Sequence, residues 1–181
     1  MQHAKALIDN RNPAVQIGLT LAAAALITLG AKIQVPFWPV PMTLQTLATL
    51  LIAAALGPRL GLAAMGAYVA AGMAGLPVFA GSPARGMGLA YLAGPTTGFL
   101  IGMALAMVVT GVLARAQGWA MTAVALVAGT VAIYVPGLMW LSAFVPADQL
   151  LTVGVAPFIL GDMVKIVLGT MLLQAAQRLR G

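Results

Sequence analysis

The sequence predicts an all-α integral membrane protein: one bundle of six transmembrane helices with both termini in the cytoplasm. Three observations carry that expectation. The first is composition: of 181 residues, 62% are hydrophobic and 7% charged, with a mean hydropathy of +1.04, whereas soluble domains carry about 25% charged residues. The second is punctuation, because apolar runs broken by Pro, Gly or charge give enough sequence for several spans of about 20 residues and little for an aqueous domain. The third is the placement of the basic residues, which are biased to one set of connections.

The residues before position 14 form a polar cytoplasmic tail. No short apolar core with a cleavage site follows its charges, so no removable signal peptide is expected. The first span covers 14–33 and is closed by Val35-Pro-Phe-Trp-Pro-Val-Pro41. Three prolines cannot continue a helix and predict a rigid, extended connection. The second span covers 43–56, ended by Gly57-Pro-Arg-Leu-Gly61, and the third covers 62–74. Both are short, so a shared re-entrant hairpin is the alternative. The segment 75–90 is rich in Gly and Pro, too irregular to span, and reads as an outward-facing loop. The remaining spans cover 91–114, 119–144 and 158–177, making one domain of the whole chain.

Orientation follows from Lys and Arg in the short connections. Six spans put Lys5, Arg11, Arg59, Arg115, Arg178 and Arg180 on one side, which is therefore cytoplasmic; Arg85, Lys32 and Asp148 fall on the other. Trp38 and Trp140 then lie at the outer interface and Trp119 at the inner one, where amphipathic rings belong.

Most chemistries are excluded. The net charge of +6 comes from scattered residues, not a basic stripe, so nucleic acid is not expected as a partner. There is no Cys, and the one histidine, His3, lies in the polar tail, so no metal site is expected. No GxxxxGK[ST] phosphate loop occurs. No second intramembrane carboxylate accompanies Asp162, and Ser82 has no histidine able to reach it. The expectation is no catalysis, no catalytic residue and no cofactor.

What remains is a binding site. Asp162 is one of three acidic residues, and it stands inside the last apolar run three positions before Lys165. A charge at membrane depth costs about 2.5–3.5 kcal/mol on insertion scales and usually faces the bundle interior. The i, i+3 spacing puts both on one helix face. Counted at a rise of ~1.5 Å per residue from the outer end, Asp162 lies in the outer third of the bilayer, with Lys165 nearer the middle. The pair is either a structural salt bridge or part of a ligand pocket. Gln45 enters the second span at a similar depth, as a helix–helix hydrogen bond or a ligand contact. Arg85 in the outer loop is either solvated or a cation able to hold a carboxylate, and Phe79 and Tyr91 beside it can wall an apolar ligand or anchor the interface. Small residues recur as Ala14-Gly18-Ala22 and as Gly98-Gly102-Ala106-Thr110. Such stripes let helices approach closely, inside the bundle or against another membrane protein.

Five motifs in order resemble the biotin-specific S component (BioY) of energy-coupling-factor, or ECF, transporters. They are Ala31-Lys-Ile-Gln-Val-Pro-Phe-Trp-Pro-Val-Pro-Met-Thr-Leu-Gln-Thr46, Leu56-Gly-Pro-Arg-Leu-Gly61, Gly75-Leu-Pro-Val-Phe-Ala-Gly81, Gly94-Pro-Thr-Thr-Gly-Phe99 and Pro157-Phe-Ile-Leu-Gly-Asp-Met-Val-Lys165. The resemblance implies a six-helix protein, embedded in membrane lipid, that captures biotin from outside. It also implies a transmembrane T component and two ATPases as partners. Asp162 and Lys165 match the family's polar substrate positions, Gln45 is carried over with them, and the loop before Tyr91 matches the lid. Two departures stand out: Ser82-Pro-Ala-Arg85 replaces a Gly-rich run, and Leu26 ends the small-residue stripe of the first helix. An S component for another vitamin and a structural membrane subunit are the alternatives.

Overall fold

The computed structural model describes residues 12–115 and 118–179. The first helix, α1 (Pro13–Lys32), starts where Asn12 caps it: the Asn12 side-chain oxygen accepts from the Ala14 N–H at 3.0 Å, and Pro13 fills the first helical position, where no N–H is needed. After Ile33 the chain makes a small hairpin, β1 (Gln34–Val35) antiparallel to β2 (Met42–Thr43), which encloses the prolines. The rigid connection expected at 35–41 is thus a loop stapled by a two-residue ladder.

The second helix, α2 (Gln45–Met73), is continuous except at Gly57, where φ is +77°. Pro58 removes a backbone donor and its ring clashes with the preceding turn, and only Gly takes that φ without cost. Two helical arms result, 45–56 and 58–73. The chain then runs through the 74–87 loop into a short helix, α3 (Gly88–Leu92), followed by α4 (Thr97–Leu113), α5 (Trp119–Leu141), a short α6 (Leu150–Gly154) and α7 (Ile159–Arg178). Two expected boundaries shift. Tyr91 does not begin the fourth span, because Pro95 disfavours helical backbone at Gly94 and the long helix starts only at Thr97. The fifth helix stops at Leu141, ahead of a turn over 142–144.

Among the described residues, four helical stretches are apolar and long enough to cross a bilayer: Pro13–Lys32, Gln45–Met73 with its kink, Trp119–Leu141, and Leu150–Arg178, which counts α6, α7 and the turn between them. The protein is membrane-integral and mostly helical. Its outward surface is apolar, with Leu160, Met139 and Met163 well exposed.

Helix α4 packs most extensively on α5 and then on α2. The α4 stripe makes this possible. A Cβ on Gly102 would lie 2.4 Å from the Ile133 carbonyl oxygen, and one on Gly98 would lie 2.4 Å from that of Pro136. Those small residues are internal packing. The α1 stripe differs: Ala14, Gly18 and Ala22 are exposed, and a Cβ on Gly18 would meet nothing within 4 Å. Several hydroxyls inside the bundle are satisfied locally or across helices, as when Thr170 donates to the Ile166 carbonyl and Gln174 donates to Thr122 at 2.9 Å, tying α7 to α5, while the buried Thr49 hydroxyl has no partner among the described residues. Helix α7 is thinly docked; its buried residues are Lys165, Gly169 and Thr170.

Candidate functional site

Asp162 lies in the first turn of α7, with Lys165 one turn on. The Lys165 ammonium donates to Asp162 Oδ1 at 3.1 Å and to Thr46 Oγ1 of α2 at 3.0 Å. The Tyr134 hydroxyl of α5 donates to Asp162 Oδ2 at 2.5 Å. Three helices therefore converge on one polar cluster. Both charged side chains are nearly withdrawn from the surface, 13% exposed for Asp162 and 9% for Lys165. Removing two charges from water is tolerated because each is paired and further hydrogen-bonded.

The cluster forms the polar end of a cavity whose other walls are mainly apolar, among them Val40, Met42, Phe99, Met103, Ile133 and Phe158. The cavity is a slot. Its volume is about 60 Å³. Apolar walls with a few convergent polar groups are the usual make-up of a small-molecule site. Here the cluster offers both a carboxylate acceptor and an ammonium donor within one turn of helix.

A sequence model of the BioY family matches residues 3–181. The chain belongs to the BioY family. The probable biotin transporter BioY of Pyrococcus horikoshii is 36% identical over 168 residues, 93% of this chain and 98% of that protein. The biotin transporter BioY of Thermotoga maritima is 38% identical over 150 residues, 82% of this chain and 87% of its own length. The crystal structure of the S-component for biotin from an ECF-type ABC transporter is similar at a TM-score of 0.77 and 25% identity, covering 93% of this chain and 94% of that one.

In this BioY-family chain, the residues singled out from sequence fall into two groups. Asp162 and Lys165 share the slot. Arg85, Tyr91 and Phe79 assemble elsewhere, around the 74–87 loop. Phe79 is fully buried against Gly72, edge-on to Tyr68 at 5.5 Å and stacked on Tyr91 at 4.5 Å between ring centres. The Tyr91 hydroxyl donates to the Ala80 carbonyl at 3.0 Å. Burial raises its pKa, with Thr96 and the Arg85 charge pulling the other way, so it remains a neutral donor. Arg85 donates to the Pro39 and Phe37 carbonyls at 3.0 and 3.3 Å, so its guanidinium ties the 74–87 loop to the 36–41 loop. Arg85 and Tyr91 line a separate surface cavity with Trp38 and Pro39.

Gln45 reaches neither cavity. It is 2% exposed, packed against Gly30 of α1, and its amide nitrogen has no hydrogen-bond partner among the described residues. Its neighbour Thr46 faces the slot instead. Two further residues were missed in the sequence. Tyr134 carried a usable signal, as the one tyrosine in an otherwise apolar run. Lys32 also has a defined role: its ammonium donates to the Phe79 carbonyl at 2.9 Å and to both oxygens of Ser82, pinning the 74–87 loop to the end of α1.

Proposed function

We propose that this chain captures biotin from the outer side of the membrane as the S component of an ECF transporter. The observation that carries the reading is the Asp162–Lys165–Tyr134–Thr46 cluster at the end of an apolar slot, in a chain whose relatives are named biotin transporters. Biotin presents two ureido N–H donors, a ureido oxygen, an apolar sulfur ring, an aliphatic tail and a carboxylate. Asp162 accepts from a ureido N–H and Lys165 donates to the ureido oxygen. Phe99, Ile133 and Phe158 cover the ring. Tyr134 and Thr46 hold the two charges in register before the ligand arrives, so little ordering remains to be done on binding.

Six spans follow if the two arms of α2 each cross the membrane as short helices, joined by the Gly57 kink. Both termini are then cytoplasmic. Arg59, Arg115 and Arg178 support that orientation; Lys5, Arg11 and Arg180, which argue for it in the sequence, lie outside the described residues. The segment 75–90 is the outer lid, held by Lys32 on one side and Arg85 on the other. Arg85 is the candidate cation for the carboxylate, a contact that requires its guanidinium to exchange the Pro39 and Phe37 carbonyls for the ligand.

Energy comes from a transmembrane T component and two ATPases, since the chain has no nucleotide-binding motif of its own. The exposed Ala14–Gly18–Ala22 face is the docking surface for the T component, because among the described residues a Cβ at Gly18 meets nothing within 4 Å. An uptake assay tests this. In cells lacking other biotin uptake, co-expression with an ECF module gives accumulation of labelled biotin, and Gly18→Leu abolishes accumulation while purified Gly18→Leu protein still binds biotin. Loss of biotin binding in that variant contradicts the docking role, and no accumulation with the unmodified chain contradicts the transporter reading.

A further inference from the structure

Met42 sits on a boundary. It lines the slot that holds the Asp162–Lys165 cluster, and it also lines a broad open groove on the other side, with a volume of about 610 Å³. The two spaces have Met42, Thr43 and Lys165 in common. The outer groove runs between the end of α1 with its hairpin and α7, and its walls are apolar, including Ile33, Phe37, Leu160 and Leu168. Leu160, Val164 and Leu168 are 75%, 51% and 46% exposed, so this groove faces the bilayer.

The hairpin brings Met42 there by pairing it with Val35, and Gly161 makes room for it. A Cβ at position 161 would lie 2.6 Å from Met42 Sδ, so the thioether is pressed against the α7 backbone one residue before Asp162. Thr43 is too short to close the gap, and Lys165 is already engaged with Asp162 and Thr46. An unbranched, adaptable thioether is therefore the side wall between the site and the lipid.

We propose that Met42 is a specificity-determining residue: it closes the site toward the bilayer and so limits the length of apolar substituent a bound ligand can carry. The proposal rests on biotin binding at the Asp162–Lys165 cluster. Shortening the wall joins the slot to the groove, and an alkyl chain attached to the ligand then lies along Leu160 and Leu168 instead of colliding with Met42. Each methylene so buried adds to affinity.

The test compares biotin with biotin carrying a hexyl group on one ureido nitrogen, the end of the ligand beside Met42, by titration of purified protein in detergent. The alkylated ligand keeps its carboxylate and one ureido N–H for Asp162 and loses the other N–H equally for every variant, so the ratio of the two affinities isolates the wall. Met42→Ala improves that ratio for the hexyl derivative by at least about tenfold over the parent chain, since several buried methylenes exceed one decade. Met42→Leu, which keeps the volume, leaves the ratio unchanged and shows that the position tolerates substitution. An unchanged ratio in Met42→Ala, with biotin itself still bound, overturns the inference alone. Failure of the parent chain to bind biotin overturns the proposed function on which it stands.

Discussion

Replacing Asp162 by Asn together with Lys165 by Met lowers biotin affinity by more than tenfold, while the protein inserts and purifies normally. Asp162→Ala alone is a poorer experiment, because it strands the Lys165 ammonium beside an apolar slot, and a buried charge without its partner costs about 3–5 kcal/mol of stability. The double change leaves no orphan charge and keeps both shapes. It exchanges the charged ureido acceptor for a neutral amide oxygen, which costs about 1 kcal/mol, and removes the ureido donor, which costs about 1–3 kcal/mol when its buried partner is left unpaired. At roughly 1.4 kcal/mol per decade, the sum of about 2–4 kcal/mol lowers affinity by more than tenfold and at most by roughly a thousandfold. Tyr134→Phe gives a graded version, since it frees Asp162 Oδ2 and leaves the charges intact, so affinity drops by roughly tenfold without loss of protein. Isothermal titration of each variant checks this. Undiminished binding by the double variant makes the pair a structural bridge and moves the search to Gln45 and the Arg85 loop.

Gly102→Val prevents the bundle from forming. A Cβ there meets the Ile133 carbonyl oxygen at 2.4 Å and its Cα at 2.7 Å, and these are backbone atoms that no rotamer change can move aside. Helices α4 and α5 must separate along their main contact. That separation breaks the Thr110 hydroxyl bond to the Ala125 carbonyl and carries Tyr134 away from Asp162. Overpacking a well-filled core typically costs about 1–3 kcal/mol, and a rigid backbone collision belongs at or beyond the upper end. The expected result is aggregated material on size-exclusion chromatography and little monodisperse protein. Gly18→Leu, by contrast, elutes like the parent chain because its added side chain enters open space. A monodisperse, stable Gly102→Val protein contradicts the packing described for α4 and α5.

These two glycines also mark what a sequence can and cannot say. Both stripes have the same spacing, and spacing alone cannot tell an inward stripe from an outward one. The rotation of each helix about its axis is set by neighbours distant in the chain. The same limit separates Gln45 from Thr46. The doublet is plainly polar at the head of an apolar run, but which member faces α7 depends on the turn at Thr43–Leu44, and Thr46 won. Breaks were legible because Pro and Gly act locally, so the kink at Gly57–Pro58 and the stop before Thr97 are written in their own residues. Asp162 and Lys165 were legible because charge is costly in lipid. Phe79 and Arg85 were harder. An aromatic in a Gly-rich loop reads as a lid over a ligand, whereas here it is stacked between Tyr68 and Tyr91, and the guanidinium is occupied by the Pro39 and Phe37 carbonyls.

Calorimetric titration of the purified chain alone, without ATP or partner subunits, against biotin, desthiobiotin, riboflavin and thiamin tests the central claim most directly. The site lies wholly within this chain, so biotin binds saturably. Desthiobiotin keeps the ureido group and carboxylate but lacks the sulfur bridge, so it binds more weakly and still measurably. Thiamin offers no cyclic urea between Asp162 and Lys165, and riboflavin carries such a unit only within a broad flat tricycle unlike the compact biotin ring, so neither gives a heat of binding. Biotin bound no more tightly than riboflavin or thiamin would contradict the assignment of the slot to biotin.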